Sequence, residues 1–356
     1  MHGKIVSIHY LRGLCALLVV VAHLSYLLPG HMEARIPGAL GVDLFFMISG
    51  FIMLLVTRER AEPPSTFIIK RFVRIYPLFF VVWLLAVLTV HRDATLGQSL
   101  CALALCLQDY ASQGPEFGYN LLGPPWTLTY EVYFYLLFCG AMALSPRWRG
   151  PICALAIGIL TVGLQLAVNG SYALSSQSAA RFADTRGWQA PLTILSDTVF
   201  YEFVFGMLVA ALLPRLAALK EHAVLRRASV AVLGLAVAAA FVVGPVPFGM
   251  AGGFWFAAPI FAAVVVLGTQ VRLPALRSLS FLGDISYALY LVHFPLMNLA
   301  QKSLPAPNGA AEKLAMFVTL LLASVCLAYF FHRAIERPMI RLGRVAANGA
   351  GLVKQT

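Results

Sequence analysis

The sequence predicts an all-α polytopic membrane protein, with about ten transmembrane helices in one bundle. Its 356 residues are 60% hydrophobic and only 12% charged, whereas soluble domains carry about 25% charged residues. Many apolar stretches reach the roughly 20 residues that a helix needs to cross a bilayer. Lys and Arg, which give a net charge of +11, cluster in short loops between these stretches. That distribution indicates membrane orientation rather than binding to nucleic acid.

The apolar stretches define ten predicted spans. The first stretch is too long for the apolar region of a cleaved signal peptide, so we interpret it as a span. The basic clusters predict that both termini face the cytoplasm. The spans are residues 7–28, 38–56, 67–90, 126–144, 151–168, 192–213, 228–243, 253–268, 281–301 and 313–335. The clusters are Arg58, Arg60, Lys70, Arg71, Arg74; Arg147, Arg149; Arg215, Lys220, Arg226, Arg227; Arg272, Arg277; and the basic residues from Arg337 to Lys354.

One apolar segment, residues 98–110, is too short to cross the bilayer and is expected to be re-entrant or interfacial near the outer face. If it crossed, the basic loop that contains Arg147 and Arg149 would lie outside. The chain is expected to form one integral-membrane domain, 1–340, and a short basic cytoplasmic tail, 341–356. Its six cysteines are scattered through apolar segments, so we expect packing thiols and no metal site.

The first span contains two polar residues, Arg12 and His23. Eleven residues of α-helix rotate by about three turns plus 20° and rise by about 16 Å. Both side chains therefore share one helix face at two depths. A guanidinium in hydrocarbon costs at least about 2.5 kcal/mol, so this face is expected to line one continuous tunnel for an elongated ligand.

Three further ionisable residues, Asp43, Glu131 and His293, are predicted at the level of His23 near the outer face. Intramembrane ionisable groups face the bundle interior and commonly mark functional sites. The alternative is that they only hydrogen-bond neighbouring helices together. A carboxylate from Glu131 or Asp43 beside the imidazole of His23 would orient its tautomer.

Arg71 and Arg74 share a face at the cytoplasmic end of the third span, because they are three residues apart. Their planar guanidinium groups suit phosphate, although anchoring by the positive-inside rule explains them equally well. Ser49, followed by a glycine, either lets helices approach closely or leaves room for a thin ligand. Trp126 and Tyr130 form part of an aromatic belt at the interface or bind an acceptor.

These residues occur in five blocks whose order resembles that of membrane acyltransferase family 3, with the exopolysaccharide-modifying O-acyltransferases most similar. The blocks are Arg12 with His23, "GVDLFFMISGFIM", "KRFVRIYPLF", "WTLTYEVYFYLLF" and "FLGDISYALYLVHFP". The resemblance covers residues 8 to about 338. It implies a protein of the bacterial cytoplasmic (inner) membrane that moves an acyl group, expected to be acetyl, from cytoplasmic acyl-CoA to a hydroxyl of a cell-surface or lipid-linked glycan. Polysaccharide-synthesis proteins are implied as possible partners.

The resemblance also implies roles for individual residues. His23 matches the catalytic histidine with Arg12 as its partner, Arg71 and Arg74 match the coenzyme A end, and Glu131 matches an acidic residue of the tryptophan-containing block. We expect His23, Glu131 and Asp43 to be catalytic, Ser49 to join the arginines in donor binding, and Trp126, Tyr130 and His293 to bind the acceptor. His23 would act as a general base or carry the acyl group as an acyl-imidazole. The alternative function is a transporter or export-complex component that uses the buried polar residues as a path.

Overall fold

The computed structural model describes residues 6–30, 32, 35–59, 62–182, 187–219, 222–271 and 273–352. Within them, nine helices are long and apolar enough to cross a membrane, and the apolar helix Phe254–Gln270 is slightly shorter. Together they correspond to the ten predicted spans, so the predicted fold class is confirmed. The helices are α1 Val6–Leu24, α2 Gly38–Glu59, α3 Pro64–Thr89, α4 Leu96–Leu103, α5 Trp126–Leu144, α6 Arg149–Asn169, α7 Gln189–Leu195, α8 Phe200–Ala218, α9 Ala223–Val243, α10 Phe254–Gln270, α11 Arg277–Ser303, α12 Ala310–Phe331 and α13 Arg337–Leu352.

The pair formed by α1 and α11 runs parallel and brings the first and last parts of the chain together. The Arg12 side chain of α1 donates to the Gly283 carbonyl of α11 at 2.5 Å, and His23 meets His293 further along both helices. A Cβ atom on Gly13 would lie 2.6 Å from the Gly283 nitrogen, and one on Gly283 would lie 2.5 Å from the His9 carbonyl oxygen. Only glycine permits so close a crossing at these two positions.

A second close pair, α2 and α8, runs antiparallel. A Cβ atom on Gly50 would lie 2.1 Å from the Phe203 carbonyl oxygen, and one on Gly206 would lie 2.0 Å from that of Met47. Gly50 therefore serves helix packing, while its neighbour Ser49 faces a cavity. Of the two interpretations that the sequence left open, close approach of helices applies to Gly50, and open space beside the helix applies to Ser49.

The two ends of the helix bundle carry different polar side chains. At one end, which we call the basic end, Arg149 of α6 donates to Thr57 of α2 at 2.8 Å and Arg74 of α3 is paired with Glu336. At the opposite end, Gln301 donates to Tyr26 at 2.9 Å. Four members of the predicted basic clusters, Arg60, Lys220, Arg272 and Lys354, lie outside the described residues.

The segment 98–110 forms the end of the eight-residue helix α4 followed by a loop, which is too short to span a bilayer. The Trp83 indole of α3 donates to the Ser99 carbonyl at 2.9 Å. Asn120 donates to the carbonyls of Ala102 and Cys106 at 3.1 and 3.3 Å. These bonds hold the segment against the opposite end of the bundle.

The prediction of one continuous span over residues 192–213 is wrong, because the helix is interrupted at Ser196–Asp197. The Ser196 hydroxyl donates to the Thr193 carbonyl at 2.7 Å, and Asp197 accepts from the Val199 backbone nitrogen at 2.9 Å. Such side-chain bonds compete with the helical backbone bonds. The short helix α7 therefore ends there, and the membrane-length helix α8 begins only at Phe200.

The C-terminal region continues from α12 through one turn of π-helix, His332–Glu336, into α13. The predicted tail, 341–356, begins inside α13, and its residues 353–356 lie outside the described residues. The division into a domain and a tail stays a prediction.

We expect Gly283→Ala to destabilise the protein, because its added methyl group meets the rigid backbone of α1. Overpacking of this kind typically costs about 1–3 kcal/mol, which should lower the midpoint of thermal unfolding in detergent by several degrees. The matched control is Gly163→Ala in α6, where an added Cβ meets nothing within 4 Å. An unchanged midpoint for Gly283→Ala would contradict the tight crossing.

Candidate active site

A cavity of about 150 Å³ opens between α1, α2, α3, α5 and α11, and we call it the arginine cavity. It is lined by three cations, Arg12, Arg71 and Arg74, and by Glu131 and Ser49. This volume is smaller than that of most small-molecule sites, about 300–1,000 Å³. The space fits a thin chain but not a nucleotide.

The Arg12 side chain extends from α1 into the arginine cavity, and part of its guanidinium group is already hydrogen-bonded to the protein. One terminal nitrogen donates to the Gly283 carbonyl at 2.5 Å, while its buried Nε has no hydrogen-bond partner among the described residues. Arg12 therefore keeps donor capacity for a ligand.

Arg71 and Arg74 differ in how they are held. Arg74 is paired with the buried carboxylate of Glu336, and its guanidinium carbon lies 5.3 Å from the centre of the Tyr287 ring. Arg71 has no ion pair within the described part of the chain, and its buried Nε has no partner. It packs on aromatic rings instead, 5.6 Å from the centre of Phe67. Of the two arginines, Arg71 is the one that remains available to an anion.

Glu131 lies in the arginine cavity, not beside His23, which corrects the predicted convergence of ionisable residues. Its Oε1 accepts from the Ser49 hydroxyl at 3.1 Å and from the Tyr135 hydroxyl. Glu131 follows Trp126 by five residues in α5. Over that length the helix passes from a second cavity, which Trp126 lines, to the arginine cavity. Glu131 is therefore an acidic neighbour of the arginines.

A second, larger cavity of about 540 Å³ lies towards the opposite end, and we call it the histidine cavity. Its volume falls within the range of small-molecule sites, about 300–1,000 Å³. Its lining combines aromatic faces with polar side chains: His23, His91, Trp126, Phe294, Asn120 and Asn298. The buried Nε2 of His91 has no partner in the described part of the chain.

His23 is paired with His293, not with a carboxylate. The His23 Nδ1 lies 3.0 Å from the His293 Nε2, and the ring centroids are 5.1 Å apart. His293 is almost fully buried and does not line the histidine cavity. It was predicted to bind the acceptor, and the structure places it behind His23 instead.

The hydrogen bonds of His293 determine the tautomer of His23. The His293 Nδ1 lies 3.1 Å from the Leu289 carbonyl oxygen, which can only accept, so this nitrogen carries the proton. In the neutral ring, Nε2 of His293 then has only a lone pair and accepts the proton of His23 Nδ1. The Nε2 of His23 is therefore unprotonated, which is the state that a general base or a nucleophile requires.

The predicted position of Asp43 beside His23 is also wrong, because Asp43 is fully buried and lines neither cavity. Its Oδ1 accepts from the Gly249 backbone nitrogen at 3.3 Å. Its carboxyl group is close enough to that of Glu202 on α8 for the two to interact electrostatically, but neither Asp43 Oδ2 nor the Glu202 carboxyl oxygens have a hydrogen-bond partner among the described residues. A Cβ atom on Gly253 would lie only 1.7 Å from its Oδ2. Asp43 thus lies where α2 meets α8 and the loop before α10.

The two predicted aromatic residues separate as well. Trp126 lines the histidine cavity, with its ring 5.2 Å from that of Phe248. Tyr130 is fully buried and lines neither cavity. Its hydroxyl oxygen lies 2.8 Å from the Asp197 carboxyl oxygen and 2.9 Å from the Pro115 carbonyl oxygen, within hydrogen-bond distance of both. We therefore correct Tyr130 from acceptor binding to a packing role.

The expected continuous tunnel is also corrected, because Arg12 and His23 line separate cavities. Val42 and Tyr290 line both cavities and so lie in the wall where the two meet. Arg12 and His23 both contact α11, but they line different cavities.

Sequence reasoning missed Glu336, Tyr287 and Tyr290. Glu336 is an isolated acidic residue in a basic region, and that charge contrast could have been noticed. Tyr287 and Tyr290 lie three residues apart in a block already quoted, but nothing in their spacing distinguishes cavity lining from packing. Among the described residues, no group of three or more His, Cys, Asp or Glu side chains could hold a metal ion.

Comparisons with known proteins identify the family of this chain. The family model of the acyltransferase domain matches residues 5–333. The chain is 30% identical to the exopolysaccharide production protein ExoZ of Rhizobium meliloti over 330 residues, covering 88% of this chain and 93% of ExoZ. It is 26% identical to the acyltransferase MdmB of Streptomyces mycarofaciens over 335 residues, covering 86% and 81% of the two chains.

The peptidoglycan O-acetyltransferase OatA of Listeria monocytogenes is 26% identical over 372 residues, which cover 95% of this chain but 56% of OatA. No solved structure matches the chain. The match to the family model covers most of the chain and includes both cavities. The chain is a multi-pass membrane protein that belongs to the acyltransferase domain family.

Proposed function

We propose that the protein transfers an acetyl group from acetyl-CoA on the cytoplasmic side to a hydroxyl group of a glycan bound in the histidine cavity. This proposal rests on the positions of Arg12 and His23. Both residues are on α1 and contact α11, and they line two adjacent cavities of different chemistry. The arginine cavity suits an anionic donor with a thin arm, and the histidine cavity suits a neutral polar acceptor.

The donor proposal rests on charge and size. Coenzyme A carries phosphates and a long, thin arm that ends in the thioester. The available donors of Arg71 and Arg12 suit the phosphates or the polar part of the arm, while the cavity of about 150 Å³ admits only the arm. The nucleotide would then lie outside the cavity at the basic end.

The acceptor proposal rests on the lining of the histidine cavity. Trp126 and Phe294 offer apolar faces, while Asn120, Asn298 and His91 can hydrogen-bond to hydroxyl groups. Such a mixture of aromatic surface and a few polar groups is typical of small-molecule sites. The names of ExoZ and OatA, which refer to exopolysaccharide and peptidoglycan, support a cell-surface or lipid-linked glycan as the acceptor class.

In the proposed reaction, the unprotonated Nε2 of His23 takes the proton from the acceptor hydroxyl. The hydroxyl oxygen forms a bond to the acetyl carbonyl carbon, and the carbon–sulfur bond of the thioester breaks. The proton then passes from His23 to the leaving thiolate, which gives the thiol of coenzyme A. The same nitrogen would carry the acetyl group in the covalent route through an acyl-imidazole.

The orientation proposal follows from the basic loops. We place the basic end of the bundle and both termini in the cytoplasm, because Lys and Arg favour that side of the membrane. The histidine cavity then lies towards the outer face of the cytoplasmic membrane of a bacterium, where cell-surface glycans are modified.

The function is tested with purified protein, acetyl-CoA and a glycan fraction, by measuring release of coenzyme A and labelling of the glycan. We expect His23→Gln to bind the donor but to lower transfer by about 10²-fold or more, since it removes the proton acceptor. The matched control is His222→Gln, an exposed position remote from both cavities. Absence of coenzyme A release by the wild-type protein, or the same rate in His23→Gln, would contradict the proposal and favour the transporter.

We expect Arg71→Lys to raise the KM for acetyl-CoA by about tenfold while kcat changes little. The substitution keeps the charge but loses the planar fork, and one charged hydrogen bond is worth about this factor. The control is Arg147→Lys on the exposed loop between α5 and α6, which should leave KM unchanged. A normal KM with poor membrane insertion of Arg71→Lys would instead assign Arg71 to anchoring.

The role of His293 is tested with an acceptor and an apolar substitution. In His293→Gln, the amide oxygen can take the place of Nε2 and accept from His23, so much of the activity should remain. In His293→Leu, the tautomer of His23 is no longer fixed, and kcat should fall by about 10²- to 10⁴-fold. The KM for acetyl-CoA should be unchanged in both. Equal activity of the two variants, with normal folding, would remove His293 from the mechanism.

A further inference from the structure

The wall between the two cavities is held closed by the hydroxyl group of Tyr290. This hydroxyl lies 2.7 Å from the Thr127 hydroxyl and 2.7 Å from the Pro124 carbonyl oxygen. Thr127 lines the arginine cavity, whereas Pro124 lines the histidine cavity. The bonds therefore tie the Tyr290 ring to α5 at the boundary between the two spaces.

The direction of these hydrogen bonds follows from the groups involved. A carbonyl only accepts, so the Tyr290 hydroxyl gives its single proton to Pro124. The Thr127 hydroxyl then donates to the Tyr290 oxygen at 2.7 Å, the shorter of its two contacts, since the Pro124 carbonyl oxygen lies 3.3 Å from it. Both bonds lie in a buried setting, and the Phe45 ring packs against the Tyr290 ring at 5.8 Å between centroids. The closed position is thus held by two hydrogen bonds and one edge-to-face ring contact.

The proposed reaction needs this wall to open. A thioester that enters the arginine cavity from the basic end meets Val42 and Tyr290 before it can reach His23. Val42 is fixed on α2 and has one small side chain, whereas the Tyr290 ring can turn once its hydroxyl is released. An acetyl group can pass only when the two bonds break.

We propose that Tyr290 is a latch between donor and acceptor, which opens for acyl transfer and otherwise keeps the two cavities apart. The inference rests on the proposed function for its purpose, but the barrier itself can be tested without any turnover. In the closed state, the latch keeps the thioester away from His23 and from water activated beside it in the histidine cavity. It thereby limits hydrolysis of the donor without an acceptor.

The barrier is tested with a cysteine at Ser49→Cys in the arginine cavity and a small membrane-impermeant thiol reagent. The reagent is added from the side of the membrane from which it labels His91→Cys in the histidine cavity. From that side, we expect slow labelling of Ser49→Cys, and about fivefold faster labelling once Thr127→Val removes one neutral hydrogen bond. Tyr290→Phe removes both bonds and should accelerate the labelling further. The parent chain with its native cysteines gives the background.

A matched pair of substitutions controls for the general loss of a hydrogen bond. Thr161 and Tyr201 form the same Thr–Tyr bond at 2.7 Å between α6 and α8, away from both cavities. Thr161→Val and Tyr201→Phe should leave the labelling of Ser49→Cys unchanged. The double variant Tyr290→Phe with Thr127→Val should match Tyr290→Phe alone, because both substitutions release one latch.

Two outcomes separate the latch from the proposed function. Unchanged labelling in Tyr290→Phe, or equal acceleration by Tyr201→Phe, would overturn the latch even if acetyl transfer is found. Acceleration specific to Tyr290 and Thr127 would support it even if acetyl-CoA proves to be the wrong donor. With acetyl-CoA as the donor, Tyr290→Phe should also raise hydrolysis without acceptor by at least about fivefold.

Discussion

The close parallel contact between α1 and α11 is the constraint on which the candidate site depends. Gly13 and Gly283 let the two backbones approach so far that the Arg12 side chain reaches the Gly283 carbonyl. The same approach, continued along both helices, brings His23 within 3.0 Å of His293. A wider crossing would separate both pairs at once, and neither the cation nor the imidazole would be held in place.

Burial of polar groups in the bundle explains which of them are available for chemistry. An unpaired polar group is costly in an apolar interior, and most buried side chains here have protein partners. Glu131 is bonded to Ser49 and Tyr135, and Glu336 is paired with Arg74. Arg12 and Arg71 each keep a nitrogen without a partner in the described part of the chain. Both face the arginine cavity, which therefore suits an anion.

The sequence was sufficient to locate the spans approximately, but it predicted neither the level of Glu131 nor the direction in which side chains point around each helix. Periodicity and hydropathy located the ten spans, and helix geometry placed Arg12 and His23 on one face. Depth along a helix says nothing about which neighbour a side chain meets, and so Asp43 was expected beside His23 when it faces Glu202. The break before α8 was missed because Ser196 and Asp197 are two polar residues within an otherwise apolar run. Tyr290 was missed because its role depends on α5 and α2 together.

The most direct measurement is a structure of the protein with a non-hydrolysable thioether analogue of acetyl-CoA. The account predicts phosphates or the polar arm at Arg71 and Arg12, with the acetyl end in the arginine cavity against Tyr290 or, with the latch open, beside His23. A nucleotide bound in the histidine cavity, or an acetyl end remote from both Tyr290 and His23, would contradict it.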